Sequence, residues 1–130
     1  MTDKDDWEVI SSYSRKQAFA DGVLVDLSAD WFGEMCKEAG FRFPLAMTST
    51  AFAEVIGFEP LPAGQDQNGR LWDVLMVLKA AIRQNRNSNR QDFAVSVFDG
   101  KRHNKIELYC LCGPSDSGEP CLTVMLPTED

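Results

Sequence analysis

A chain of 130 residues has the length of one ordinary domain, enough to bury a core without disulfide or metal staples. Its 44% hydrophobic and 25% charged residues exclude a disordered or fibrous chain, and the absence of any run of about 18 apolar residues excludes a transmembrane helix. A formal charge of −7 repels nucleic-acid phosphates at long range, so extensive wrapping by DNA or RNA is disfavoured.

Met1 to Glu8 is polar and acidic, with no basic patch followed by an apolar stretch and a cleavage site. This predicts a cytoplasmic protein whose first six residues are disordered. Ser14, three residues before Gln17, has the spacing of a capping box and predicts a short helix ending at Gly22. Val23 to Leu27 then has the composition of a short strand. Ser28 is placed to cap a second helix, whose apolar stripe is Trp31, Phe32, Met35, Cys36 and Ala39 and which Gly40 closes. Phe41 to Pro44 reads as a connector or an extended edge, since a proline disfavours helical geometry in the residue before it.

Ser49 is expected to cap a third helix over Thr50 to Ile56, with Phe52, Val55 and Ile56 inward and Gly57 as its stop. Two prolines and two glycines between Glu59 and Gly69 predict a loop. From Arg70 to about Gln84, Leu71, Leu75, Leu78 and Ile82 mark one helical face, and Trp72, Val74, Met76 and Val77 occupy the others. A helix apolar nearly all round is expected to be buried on several sides. After a polar loop over Asn85 to Gln91, the segments Phe93 to Phe98, Ile106 to Cys112 and Cys121 to Leu126 predict strands joined at Asp99-Gly100 and through Gly113 to Pro120. The expected fold is a single α+β domain over residues 1–130, with one long buried helix on a three-stranded antiparallel meander and the short strand at 23–27 as a candidate addition.

The four cysteines, Cys36, Cys110, Cys112 and Cys121, are too sparse for a disulfide scaffold and are expected to be free thiols of a reducing compartment. Cys110 and Cys112 share a strand face by parity, and a hairpin could bring Cys121 alongside Cys112. With Cys36 or His103 that would supply four soft ligands, but the spacing is not that of a zinc knuckle, and core packing is the favoured reading. A cysteine nucleophile needs a base, and the one histidine, His103, sits in a basic turn expected at the far end of its strand from Cys110. No catalytic residue, metal or cofactor is therefore predicted. Of the tryptophans, Trp31 and Trp72 fit core stripes, and Trp7 is the one expected to be exposed.

Two charged groups remain as weak binding candidates. Lys79, Arg83, Arg86, Arg90, Lys101, Arg102 and Lys105 stand against Asp92 and Asp99 within residues 79–105, a local balance of +5 that leaves −12 elsewhere. From Arg83 onward these residues could contact a nucleic acid or a partner, although Arg83 and Arg86 also suit the carboxyl end of a helix. Asp116 and Glu119, in the loop GPSDSGEP, could take a cation or a basic partner, although such residues populate turns without a ligand.

Four stretches, SRKQAFADGVLVDLS (14–28), AGFRFPLAMT (39–48), GRLWDVLMVLKAAIR (69–83) and CGPSDSGEPCLTVMLPTED (112–130), resemble a family of small proteins without established activity encoded on bacterial plasmids and integrative or conjugative elements. The resemblance implies a bacterial, cytoplasmic, mobile-element setting and transfers no catalytic residue. Lacking a convincing acid, base, nucleophile or metal grouping, the chain is expected to be a non-catalytic accessory protein binding a macromolecular partner, encoded by the host or the element. Nucleic-acid contact through the basic residues, disfavoured by net charge, and a small cysteine-dependent enzyme are the rival expectations; the sequence leaves oligomeric state open.

Overall fold

A computed structural model describes residues 15–58, 60–62 and 64–129. The expectations for the first six residues, Trp7, the Ser14 cap and the side chain of Trp31 lie outside the described residues. Helix α1 covers residues 15–20, followed by β1 (Leu24–Asp26), α2 (Asp30–Ala39), β2 (Leu45–Thr48), α3 (Ser49–Val55), α4 (Gln67–Gln84), β3 (Arg90–Phe98), β4 (His103–Pro114) and β5 (Pro120–Met125).

The three-stranded meander is part of a larger structure. The strands form one five-stranded mixed sheet in the order β1-β2-β5-β4-β3, in which β2 pairs parallel with β5 and every other neighbour is antiparallel. Strand β2 was not anticipated, because Leu45, Ala46, Met47 and Thr48 are all buried and a strand covered on both faces shows no alternation. Its pairing with β5 joins residues more than 70 apart, Leu45 opposite Leu122.

Helix boundaries follow the chain's own capping chemistry. Helix α3 begins one residue before the expected start because Thr48, not Ser49, is its cap, with Thr48 Oγ1 accepting from Ala51 N at 3.1 Å. Helix α4 begins three residues early because Asp66 Oδ1 accepts from Gly69 N at 2.7 Å. Ser28 does not cap α2. Its hydroxyl instead accepts from Leu45 N at 2.6 Å and ties the chain after β1 to β2, leaving Ala29 as a cap without a side-chain bond. Gly40 ends α2 as expected, at φ 97°, a conformation that a side chain would strain.

Odd-numbered positions of β3 and even-numbered positions of β4 face the layer of α2, α3 and α4. There Val95, Leu108, Cys110, Leu122, Val124, Leu45 and Met47 meet Cys36, Phe52, Val55, Leu71, Val74, Leu75 and Leu78 in one contiguous core. Helix α4 is buried on this side alone. Leu71, Val74, Leu75 and Leu78 are at most 1% exposed, whereas Met76 and Val77 are half-buried and Trp72 is 36% exposed. The expected all-round burial is corrected to a single buried face, because only the sheet and the flanks of α2 and α3 cover the helix and its outer side meets solvent.

On the other face of the sheet, Arg15 of α1 donates to Thr123 at 2.8 Å. The tail returns over the same face, with the Tyr109 hydroxyl donating to the Glu129 carbonyl and the Thr48 hydroxyl to Glu129 Oε1 at 2.7 Å. Among the described residues no helix is long and apolar enough to cross a membrane.

The β3–β4 turn is held by Asp99, whose Oδ1 accepts from Lys101 N at 2.8 Å and Arg102 N at 2.9 Å, and whose Oδ2 accepts from Asn104 Nδ2 at 2.9 Å. These bonds favour the carboxylate and lower its pKa from the usual 3.8 to about 2, led by the Arg102 amide. A folded-state pKa below the unfolded one stabilises the fold above the unfolded value, and that contribution fades as pH falls from about 4 toward 2. Asp99→Asn is therefore expected to lower the thermal midpoint at neutral pH and to converge with the wild type near pH 2, with the Asp99 carboxyl titrating close to 2 by NMR.

Candidate functional site

The connection from α4 to β3 is short, so the helix runs antiparallel to the strand and its carboxyl end lies over the start of β3. The carboxyl end of α2 arrives at the same place. Between these two helix ends and the sheet is an open cavity of about 320 Å³. Ala39, Gly40, Phe41 and Phe43 wall it from α2 and its connector, Ile82 from α4, and Cys110, Cys112 and Leu122 from the sheet.

Arg42, Lys79, Arg83 and Arg86 stand around this apolar interior, and among the described residues no acidic side chain lines it. None of the four makes an ion pair among the described residues; the salt bridge found there joins Arg90 to Asp92. The Lys79 ammonium lies 3.4 Å from where a Cβ on Gly40 would sit, which places it against the end of α2. Two helix carboxyl ends bring about half a negative charge each, roughly −1 together, so four cations leave a clear positive excess. Helix capping accounts for part of this charge and not for all of it.

The cavity edge is built rather than loose. Gln91, 7% exposed, donates from Nε2 to Asn85 O at 2.7 Å and Ser88 O at 3.3 Å, pinning the α4–β3 loop that carries Arg86. Cys112 N donates to Asn89 O at 2.8 Å and anchors the other end of that loop to β4.

Residues 4–130 match a family described as "Family of unknown function (DUF6573)". The chain belongs to that family. No curated protein and no solved structure matches it. In this DUF6573 member the basic residues predicted as one set are divided by the length of β3. Arg83 and Arg86 reach the cavity. Lys101 and Arg102 lie in the β3–β4 turn, near the amino end of α4, where Arg70 Nη2 donates to Phe98 O at 2.6 Å. A nine-residue strand separates the two groups by roughly 27 Å. Lys105, exposed on β4 opposite Ser96, and Arg90, paired with Asp92 at 3.1 Å and over the Tyr109 ring at 4.0 Å, lie on the sheet face away from the cavity.

Sequence reasoning missed Arg42 and the aromatic pair around it, because they join the basic group only through the packing of α2 beside α4. The signal available was Phe41-Arg42-Phe43 itself, an arginine between two aromatic residues; in the structure Phe43 is 46% exposed. Asp116 and Glu119 are exposed in the β4–β5 loop, whose backbone closes through Ser115 N to Glu119 O at 2.7 Å. Among the described residues no group of three or more His, Cys, Asp or Glu side chains is placed to hold a metal ion.

The thiols are distributed differently from expectation. Cys112 pairs with Leu122, so Cys121, opposite Gly113, points to the other sheet face and is not a neighbour of Cys110 and Cys112 on the cavity side. Burial pushes the Cys110 thiol up to about 12, and burial assisted by the Asp26 charge pushes Cys36 up to about 11. Both are thiols, not thiolates, at neutral pH. Brief alkylation of the native protein at pH 7.5 is expected to label half-buried Cys112 while sparing Cys36 and Cys110, as peptide mass mapping would report. Prompt labelling of Cys110 would contradict this placement.

Proposed function

We propose that the chain is a non-catalytic accessory protein of a bacterial plasmid or integrative element, acting in the cytoplasm. It holds a partner protein, from the host or the element, by an acidic segment that carries an apolar anchor. The observation that carries this reading is the combination of an apolar cavity of about 320 Å³ with Arg42, Lys79, Arg83 and Arg86 at its edge and no carboxylate among the described residues of its lining, on a chain of net charge −7. An apolar side chain seated in a small pocket supplies affinity, and charges around it supply orientation and encounter rate. The mobile-element setting and the compartment rest on the resemblance and on the free thiols.

Nucleic-acid contact has one observation in its favour, the same four cations. Against it, the cluster is compact and concave, and of the other basic residues of 79–105, Lys101 and Arg102 lie a strand-length away while Arg90 and Lys105 lie on the opposite face, so they do not extend a track along a phosphate backbone. A cysteine-dependent enzyme has less support, since Cys110 is held protonated and His103 lies near the opposite end of β4, roughly 24 Å along the strand.

Selection of a randomised displayed peptide library on the purified protein tests the reading. The expected enrichment is an aliphatic or aromatic residue flanked by Asp and Glu. Enrichment of neutral or basic peptides, or a salt-sensitive shift of single-stranded DNA with no peptide enriched, would overturn it.

A further inference from the structure

We propose that the outer edge of β3 is a self-pairing surface, through which two copies of the chain join their sheets about a two-fold axis centred on Ala94. This goes beyond the cavity reading and does not depend on it.

The alternation of the β3–β4 ladder decides which backbone groups of β3 face outward. Cys112 N donates to Asn89 O at 2.8 Å and Asp99 N to Arg102 O at 3.1 Å, so the odd-numbered residues bond to β4 and the even-numbered ones direct their N–H and C=O away from the sheet. Both groups of Arg90 at one end and the carbonyl of Phe98 at the other are already occupied. Ser88 Oγ accepts from Arg90 N at 3.1 Å and donates to Arg90 O at 2.7 Å, and Phe98 O accepts from Arg70. Between them, Asp92, Ala94 and Ser96 leave three N–H and three C=O groups without a hydrogen bond among the described residues.

Exposed strand edges are normally shortened, kinked or guarded by proline, lysine or a bulge. The opposite edge, β1, has three residues, whereas β3 runs for nine with no proline, glycine or lysine and an unbroken one-to-one register to β4. The free window matches a second copy of itself. Antiparallel pairing about Ala94 sets Asp92 opposite Ser96 of the second copy, and Ala94 opposite Ala94. The three outward pairs exchange two bonds each, about six in all. Asp92 and Ser96 are exposed, so neither must be uncovered first. Because Ser96 lies beside Lys105 on β4, the incoming Asp92 carboxylate approaches a cation one strand further on. A longer foreign strand would run into the Ser88 and Arg70 bonds at either end, while a second copy brings a window of the same length. The contact uses one patch twice and closes as a dimer.

Sedimentation of the full chain across a concentration series tests this. The wild type is expected to be a reversible dimer. Ala94→Lys sets two ammonium groups face to face at the axis while lying beside Glu107 within its own protomer, so it is expected to melt like the wild type at concentrations where both are monomeric and to dimerise at least about tenfold more weakly. Ala94→Glu alone should also weaken dimerisation, and an equimolar mixture of the two variants should restore it. A wild type that stays monomeric at about 100 μM, or a dimer that Ala94→Lys leaves unchanged, would overturn the proposal.

Discussion

Reversing two cavity charges, Arg83→Glu with Arg86→Glu, is expected to weaken binding of a selected acidic peptide by roughly a hundredfold while leaving the fold intact. Both side chains are exposed, so the fold loses only the favourable placement of a cation at the end of α4, about 0.3–1 kcal/mol. The bound state loses more. Each edge contact is worth up to about 1 kcal/mol, and each reversal replaces an attraction with a repulsion, so two changes sum to about 2–3 kcal/mol. The salt dependence should flatten as well, since fewer opposite charges meet. Lys101→Glu with Arg102→Glu makes the same change in net charge roughly 27 Å away and should shift affinity by no more than about threefold. Titration by fluorescence anisotropy at two salt concentrations separates the two cases, and equal losses from both variants would mean that overall charge, not the cavity, holds the ligand.

The second large effect concerns the helix that supports the cavity. Leu75 and Leu78 are 0% exposed in the layer between α4 and the sheet. Truncating either to alanine is expected to cost about 2–5 kcal/mol, through lost transfer energy and an unfilled void. That is a large part of the roughly 5–15 kcal/mol that holds a domain of this kind together. Trp72, on the solvent side of the same helix, should cost less than about 1.5 kcal/mol as alanine despite its larger side chain. Urea unfolding of the three variants measures the contrast. A loss at Trp72 equal to that at Leu75 would mean that α4 is enclosed on all sides.

This contrast also marks what was legible in the sequence. The period of Leu71, Leu75 and Leu78 identified the helix and its inner face, and Gly22, Gly40 and Gly57 marked helix ends correctly because each adopts a left-handed backbone. Burial of the remaining apolar residues of α4 was not legible, since Trp72 and Met76 are apolar whether or not anything covers them. Strand β2 escaped for the opposite reason: both of its faces are covered, so no alternation betrays it. The hairpins were visible from Asp99-Gly100 and the loop GPSDSGEP, but register was not, and one step of register decides that Cys121 faces away from Cys112.

The candidate site was legible in composition and not in geometry. Arg83 and Arg86 were singled out by the local excess of basic residues. Nothing in the sequence indicates at which end of the sheet the carboxyl end of α4 lies relative to the Lys101 and Arg102 turn, or that Arg42, more than 35 residues before Lys79, joins the same cavity lining. Those are consequences of α4 running antiparallel to β3 and of α2 ending against α4, and both depend on tertiary packing.

Amide NMR of the protein titrated with a selected acidic peptide tests the central claim most directly, because it reports where the ligand sits. Shifts concentrated at Phe41 to Phe43, Ile82 to Asn89 and Cys110 to Cys112 are predicted. Shifts confined to the Asp99 to Lys105 turn, or spread evenly over the basic surface, would contradict the account.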